Sequence, residues 1–176
     1  MNYHAIFIHF PIALLVIYSL LEIFSFKIVS KYRDWFYIKF SFLFIGVVSA
    51  FPALSTGEIL EDLPKYDHKL VEVHSSFASA TTNFYLVIAI FYILSIFSRE
   101  IKIKNFILEN KNLSKSVKKI FLNLSNFFYL IIKKRILIIT SIIGLSLITI
   151  VGGLGGVLAS GIDVDPVARF IYYLFF

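Results

Sequence analysis

The histidines of this chain, His4, His9, His68 and His74, are its best candidates for chemistry. They form two pairs, and each pair stands at the start of an apolar run. A neutral imidazole is a good ligand for iron, copper and zinc. Facing histidines on two helices can hold a haem or a metal ion within a helix bundle. We therefore expect His9 and His74 to face each other, with His4 and His68 about 7–9 Å farther out.

Small residues are concentrated at the same end of the predicted helices. Gly46, Ala50, Ala53 and Gly57 have a 4, 3, 4 spacing that places them on one helix face, and Ala78 lies on the next apolar stretch. This face predicts either a slot for a flat cofactor or close helix packing, which small residues also permit. Both interpretations remain open from the sequence.

The composition is that of a membrane protein. Apolar residues make up 59% of the chain and charged residues only 16%, against about 25% charged in a soluble domain. Four stretches reach the length of about 20 residues that a membrane span requires: residues 5–26, 35–54, 73–97 and 136–159. There is no cysteine, which excludes disulfides, thiolate metal sites, iron–sulfur clusters and covalent c-type haem.

The predicted fold is all-α, an integral membrane four-helix bundle with short interfacial helices. It forms a single domain over residues 1–176. A basic loop at 98–135 includes an amphipathic helix at 117–132, which we expect on the membrane surface. An outer tail at 160–176 ends in an aromatic segment that is expected to lie on the opposite surface.

The distribution of charge predicts the orientation. Fourteen of the 17 basic residues lie in the two loops that join the first span to the second and the third to the fourth. The positive-inside rule places these loops in the cytoplasm and both termini on the outer side of the membrane. Basic loops at a membrane bind anionic lipid head groups, so nucleic acid is not an expected partner. Glu22 is expected to reach the interface, and no polar ladder is predicted through the inner halves of the spans.

Several short motifs resemble a known family. The chain opens with His9, Phe10, Pro11 and Ile12 after an earlier histidine, His4. A small-residue stretch from Ala50 to Gly57 ends the second span, and Thr56 and Gly57 within it predict the end of the helix. His74 opens the third span, and the glycines around Leu154 close the fourth. This pattern resembles the bacterial membrane family called domain of unknown function 2231, over nearly the whole chain except the basic loop and the aromatic tail. The resemblance implies a four-helix membrane domain, and a redox context, because relatives are sometimes joined to c-type cytochrome or Rieske-like modules.

The leading functional hypothesis is a b-type haem electron-transfer subunit near the periplasmic face, as part of a respiratory complex. His9 and His74 would be the axial ligands of the haem iron, with His4 and His68 as a second pair or as propionate partners. Ligation by two histidines leaves iron no open position, so the chain is not expected to be a catalyst on its own. A quinol or a periplasmic cytochrome would be the redox partner.

Two further hypotheses remain open. One is a copper, zinc or iron site in which Glu58, Glu61 or Asp62 completes the ligand shell. The other is a cofactor-free structural or assembly subunit that packs against other membrane subunits.

Overall fold

The structure is a computed structural model that describes residues 3–24, 33–61, 67–133, 136–163 and 165–176. The described residues form seven α-helices and no strands, which confirms the all-α class. The helices are α1 Tyr3–Ile23, α2 Arg33–Glu61, α3 His68–Arg99, α4 Ile101–Glu109, α5 Lys115–Lys133, α6 Ile136–Ser160 and α7 Pro166–Phe175.

Three of the described helices are long and apolar enough to cross a membrane. The qualifying stretches are Asp34–Ile59 of α2, His68–Ile96 of α3 and the whole of α6. They correspond to the spans predicted at 35–54, 73–97 and 136–159. Helix α1 contributes a shorter apolar stretch, Phe7–Ile23, and positions 25 and 26 of its predicted span lie outside the described residues. These helices indicate a membrane protein.

Helices α1 and α3 each pack against both α2 and α6. Glu22 contacts Lys39 while Leu15 lies against Gly46, so α1 and α2 run antiparallel. Tyr85 of α3 likewise lies directly against a glycine, Gly144 of α6. The largest buried side chains at the centre of these four helices are three tyrosines, Tyr18, Tyr85 and Tyr92, and not aliphatic residues. The centre of the packing is therefore polar as well as aromatic.

Two ends of the packed helices are used below as reference points. The histidine end is the end at His9, His68 and His74, and the basic end is the end at Lys39 and the lysines of α4 and α5. Because α3 begins at the histidine end and α6 finishes there, α7 follows α6 at that end. Ile171 of α7 packs directly against Gly153 of α6.

Helix α2 is longer than predicted. Thr56 and Gly57 were expected to end it, but it continues to Glu61. The Thr56 hydroxyl donates to the carbonyl oxygens of Pro52, at 2.9 Å, and Ala53, at 3.0 Å. These bonds satisfy the hydroxyl within the helix, so Thr56 does not compete with the helical backbone.

The predicted basic loop is largely helical. Helix α5 covers the amphipathic segment predicted at 117–132, and it packs along α3. The Ser125 hydroxyl donates to the Leu94 carbonyl oxygen at 2.8 Å, and the rings of Phe128 and Phe91 are 4.7 Å apart. In these two contacts the residue number rises along α5 as it falls along α3, so α5 and α3 run antiparallel.

Candidate functional site

The structure places the four histidines in different surroundings. His9 is exposed on α1, and His68 is exposed at the first position of α3. His74 is half-buried one turn and a half farther along α3. His4 belongs to α1, but its side chain lies outside the described part of the structure.

His74 is positioned by a glycine of α6. Its Cε1 atom is 3.1 Å from the point that a Cβ on residue 155 would occupy, and its two ring nitrogens are 3.8 and 3.9 Å from that point. The imidazole therefore approaches the α6 backbone edge-on. A Cβ at residue 155 would require the ring to shift by a few tenths of an ångström.

His9 and His74 lie at nearly the same depth. The Ser19 and Tyr85 hydroxyls, 2.7 Å apart, align α1 with α3. His9 is ten residues before Ser19 and His74 is eleven residues before Tyr85, which is about 15 and 16 Å along the parallel helices. The predicted common level of the two histidines is thus consistent with the helix register.

The small residues of α2 take part in close packing. A Cβ on Gly46 would be 2.8 Å from Leu15 Cδ2, so that side chain fills the space beside the glycine. Ala50 and Ala53 are buried, and Gly57 and Ala78 are half-buried. At Gly46 the helix-packing interpretation therefore applies.

No group of three or more histidine, aspartate or glutamate side chains that could hold a metal ion occurs among the described residues. Glu58 is exposed on α2. The side chain of Glu61 and the whole of Asp62 lie outside the described residues.

A second candidate site lies near the basic end, where the sequence predicted none. Glu22 of α1 is buried, and its side chain is 5% exposed. The Lys39 Nζ atom of α2 is 2.7 Å from Glu22 Oε1, and the Lys39 side chain is 11% exposed. The Tyr92 hydroxyl of α3 donates to the same carboxylate oxygen. Three helices thus meet at one ion pair, and Glu22 is paired inside the packed helices; its depth relative to the membrane interface stays a prediction.

Tyrosine side chains extend this centre toward the middle of the helices. The Tyr18 ring lies edge-on between those of Tyr85 and Tyr92, with its centroid 6.1 Å from each. The Tyr18 hydroxyl lies beside Tyr92 of α3 and Ser141 of α6. The hydroxyls of Tyr18 and Ser141 make no hydrogen bond of ordinary geometry with a described residue. Tyr85 is bonded to Ser19, which also donates to the Leu15 carbonyl oxygen at 2.9 Å.

The same face of α3 stays polar toward the histidine end. Thr81 and Thr82 are buried, and their hydroxyls donate to the carbonyl oxygens of Phe77, at 2.6 Å, and Ala78, at 3.0 Å. We call the following set the polar seam: Glu22, Lys39, Tyr92, Tyr18, Ser141, Tyr85, Ser19, Thr81, Thr82 and His74. The prediction concerned the inner halves of the spans, and there the described side chains include a buried polar cluster of Glu22, Lys39 and Tyr92 that it did not foresee.

Sequence reasoning missed the seam because tyrosine was grouped with the apolar residues. The available signal was spacing: Tyr85 and Tyr92 are seven residues apart, two helical turns, and so share one face. Glu22 and Lys39 were each an isolated charge in an apolar run. Only packing could show that these two charges meet.

The apolar helices and the polar seam are typical of one class of protein, the helical membrane proteins with ionisable groups inside their packed helices. No protein family, curated protein or solved structure matches the chain.

Proposed function

We propose that α1, α2, α3 and α6 form a four-helix transmembrane bundle in which the polar seam transfers protons. The chain lies in a bacterial inner membrane with both termini in the periplasm, as the charge distribution predicts. The basic end then faces the cytoplasm and the histidine end faces the periplasm.

The observation that carries this proposal is the burial of the Glu22–Lys39 pair with Tyr92. Ionisable groups within spans are costly, and they commonly belong to ion or proton pathways. A buried ion pair is also a poor way to gain stability, because hydrophobic replacements are often equally stable. A functional role therefore explains the pair better than a role in packing alone.

Hydroxyl groups supply the rest of the path. A hydroxyl can accept a proton from one neighbour and donate its own to the next. Two buried hydroxyls that make no hydrogen bond of ordinary geometry with a described residue, those of Tyr18 and Ser141, lie between the Tyr92 and Tyr85 positions. Buried groups of this kind are usually satisfied by an ordered water. A water there would connect Glu22 and Tyr92 with Tyr85 and Ser19, and His74 would exchange protons at the histidine end.

The test is proton flux into vesicles that contain the purified chain and an internal pH-sensitive dye. A potassium gradient with valinomycin supplies the driving voltage. We expect proton entry with the wild-type chain, and entry at the rate of protein-free vesicles with Glu22→Gln. Glu58→Gln is the matched control, since Glu58 is exposed on α2, and it should behave as wild type.

Because Glu22→Gln could also disturb folding, Tyr92→Phe and Tyr18→Phe serve as milder variants. Both keep the ring and remove only the hydroxyl, and both should slow proton entry in correctly folded protein. Wild-type flux equal to that of empty vesicles would refute the proposal, as would full flux in Glu22→Gln.

The b-type haem subunit is the second candidate, favoured by the common depth of His9 and His74 and by the exposure of His9. The two imidazoles fit haem ligation only in part, because the His74 ring is already packed edge-on against Gly155. If haem is bound, it supplies one-electron transfer at the histidine end, to or from a quinol or a periplasmic cytochrome.

Optical spectra of the purified chain, oxidised and reduced after growth with a haem supply, test this second candidate. A Soret band that shifts on reduction and disappears in His9→Ala and His74→Ala would support it. A spectrum without that band would remove it. Membership of the family of domain of unknown function 2231 and a place in a respiratory complex belong to the same proposal.

A metal site and a structural role stay proposals without a specific supporting observation. A copper, zinc or iron site gains no support from the described residues, which contain no ligand group of three. The small residue Gly46 packs against Leu15 of the same chain, so this contact does not bear on a partner subunit. Co-purification with a larger membrane complex, without proton flux or a haem spectrum, would support that role.

A further inference from the structure

A cavity between α4 and α5 is lined by cationic and apolar side chains. Its volume is about 300 Å³, and its lining residues are Leu108, Lys115, Lys118, Lys119, Leu122 and Asn123. No acidic residue is among these described lining residues. Lys115, Lys119 and Leu122 follow the three- and four-residue spacing of one helix face, which is why α5 presents them together.

One of the lysines is already fixed in place. The Lys118 Nζ atom donates to the Leu108 carbonyl oxygen at 2.6 Å, and this bond ties α5 to α4. Lys115 and Lys119 are exposed beside it. The cavity therefore offers two accessible ammonium groups, held by a helix pair, to an anion.

The neighbouring face of α5 is apolar and exposed. Its large side chains are Val117, Ile120, Leu124, Phe127 and Leu130. They do not face α3, because the α3 contacts are made by Ser125 and Phe128. Because α5 runs antiparallel along the spanning helix α3, an exposed apolar face of this kind lies against acyl chains in a membrane protein.

The depth of the lysines also suits a lipid head group. Ser125 is level with Leu94, two residues before the apolar stretch of α3 ends at Ile96. Lys119 is six residues before Ser125, about 9 Å farther from the membrane centre along α5. The head-group layer begins just outside the hydrocarbon core, so the ammonium groups lie at the level of lipid phosphates.

We propose that the α4–α5 cavity binds the phosphate head group of an anionic phospholipid, whose acyl chains cover the apolar face of α5. Charge favours this occupant, since a cavity with three lysines and no acid among its lining residues attracts an anion. The adjoining exposed apolar face favours an anion that carries hydrocarbon. This site is independent of proton transfer along the polar seam.

Native mass spectrometry of the full chain in detergent tests the site, with phosphatidylglycerol and phosphatidylcholine as probes. We expect tighter binding of phosphatidylglycerol, and a loss of about tenfold or more in Lys115→Gln/Lys119→Gln, in line with the contribution of lysines near anionic lipid. Lys119→Gln and Lys111→Gln are a matched pair of single variants. Lys111 is exposed but does not line the cavity, so only Lys119→Gln should weaken binding.

Three outcomes would overturn the proposal. The first is equal affinity for the two lipids, and the second is unchanged binding in the double variant. The third is displacement of the lipid by inorganic phosphate at concentrations similar to those of the lipid, which would assign the site to a soluble anion. Circular dichroism would confirm that the variants keep their helices.

Discussion

The Lys39 ammonium of α2 lies 2.7 Å from the Glu22 carboxylate of the neighbouring helix α1. Both groups are buried among the packed helices. The Tyr92 hydroxyl binds the same oxygen from a third helix. The contact sets the relative height of α1, α2 and α3 near the basic end. Each partner also depends on the other, because either charge alone would be buried without compensation.

Removal of one partner should therefore cost much more than removal of both. Lys39→Met keeps the length of the side chain but leaves Glu22 unpaired, and we expect a loss of about 3–5 kcal/mol in stability. Glu22→Gln/Lys39→Met should lose less than the sum of the single variants. Thermal unfolding in detergent provides the measurement. The exposed Asp163–Arg169 pair is the control, and Arg169→Met should change stability by about 0–1 kcal/mol.

Gly144→Ala should destabilise the chain. A Cβ at this position would lie 2.5 Å from the Tyr85 hydroxyl oxygen and 2.7 Å from its Cζ atom, so the buried ring must shift and its bond to Ser19 is strained. The expected loss is about 1–3 kcal/mol. Gly152→Ala in the same helix meets no atom within 4 Å, and should be neutral or stabilising by up to about 1 kcal/mol. Equal melting temperatures for the two variants would contradict this packing.

Loss of the hydroxyl should cost stability at two tyrosines of the polar seam. Tyr85→Phe removes the bond to Ser19, at a cost of about 0.5–1.5 kcal/mol. The Tyr18 hydroxyl makes no hydrogen bond of ordinary geometry with a described side chain, and the ordered water proposed beside it predicts a loss of similar size in Tyr18→Phe. Unchanged stability in Tyr18→Phe would contradict that water. Chemical denaturation of both variants in the same detergent makes the comparison.

Asp165→Ala should loosen α7 selectively. The Asp165 carboxylate caps this helix by accepting from the Ala168 backbone N–H at 2.8 Å, and loss of such a cap costs about 1 kcal/mol. Hydrogen exchange of the amides in α7 should speed up, while that of α6 stays unchanged. Asp163→Ala is the control, because it removes only an exposed ion pair. Unchanged exchange in Asp165→Ala would mean that packing of Ile171 on Gly153 holds α7 without the cap.

The sequence determined the elements that depend on local composition. Long apolar runs predict helices wherever they occur, and α2, α3 and α6 contain the predicted spans. The amphipathic pattern at 117–132 likewise predicted α5. The end of α2 was misplaced, because the helix continues past Thr56 and Gly57 to Glu61, and the Thr56 hydroxyl binds two carbonyl oxygens within it.

Only tertiary structure decided which side chains meet. Residue types and spacing identified four histidines, but the contact of His74 with Gly155 depends on the register of α3 against α6. The same holds for Glu22, Lys39 and Tyr92, which lie far apart in sequence and on three helices. The sequence alone determines which face of each helix is polar. Which faces of neighbouring helices contact each other depends on how their side chains, which differ in size, fit together.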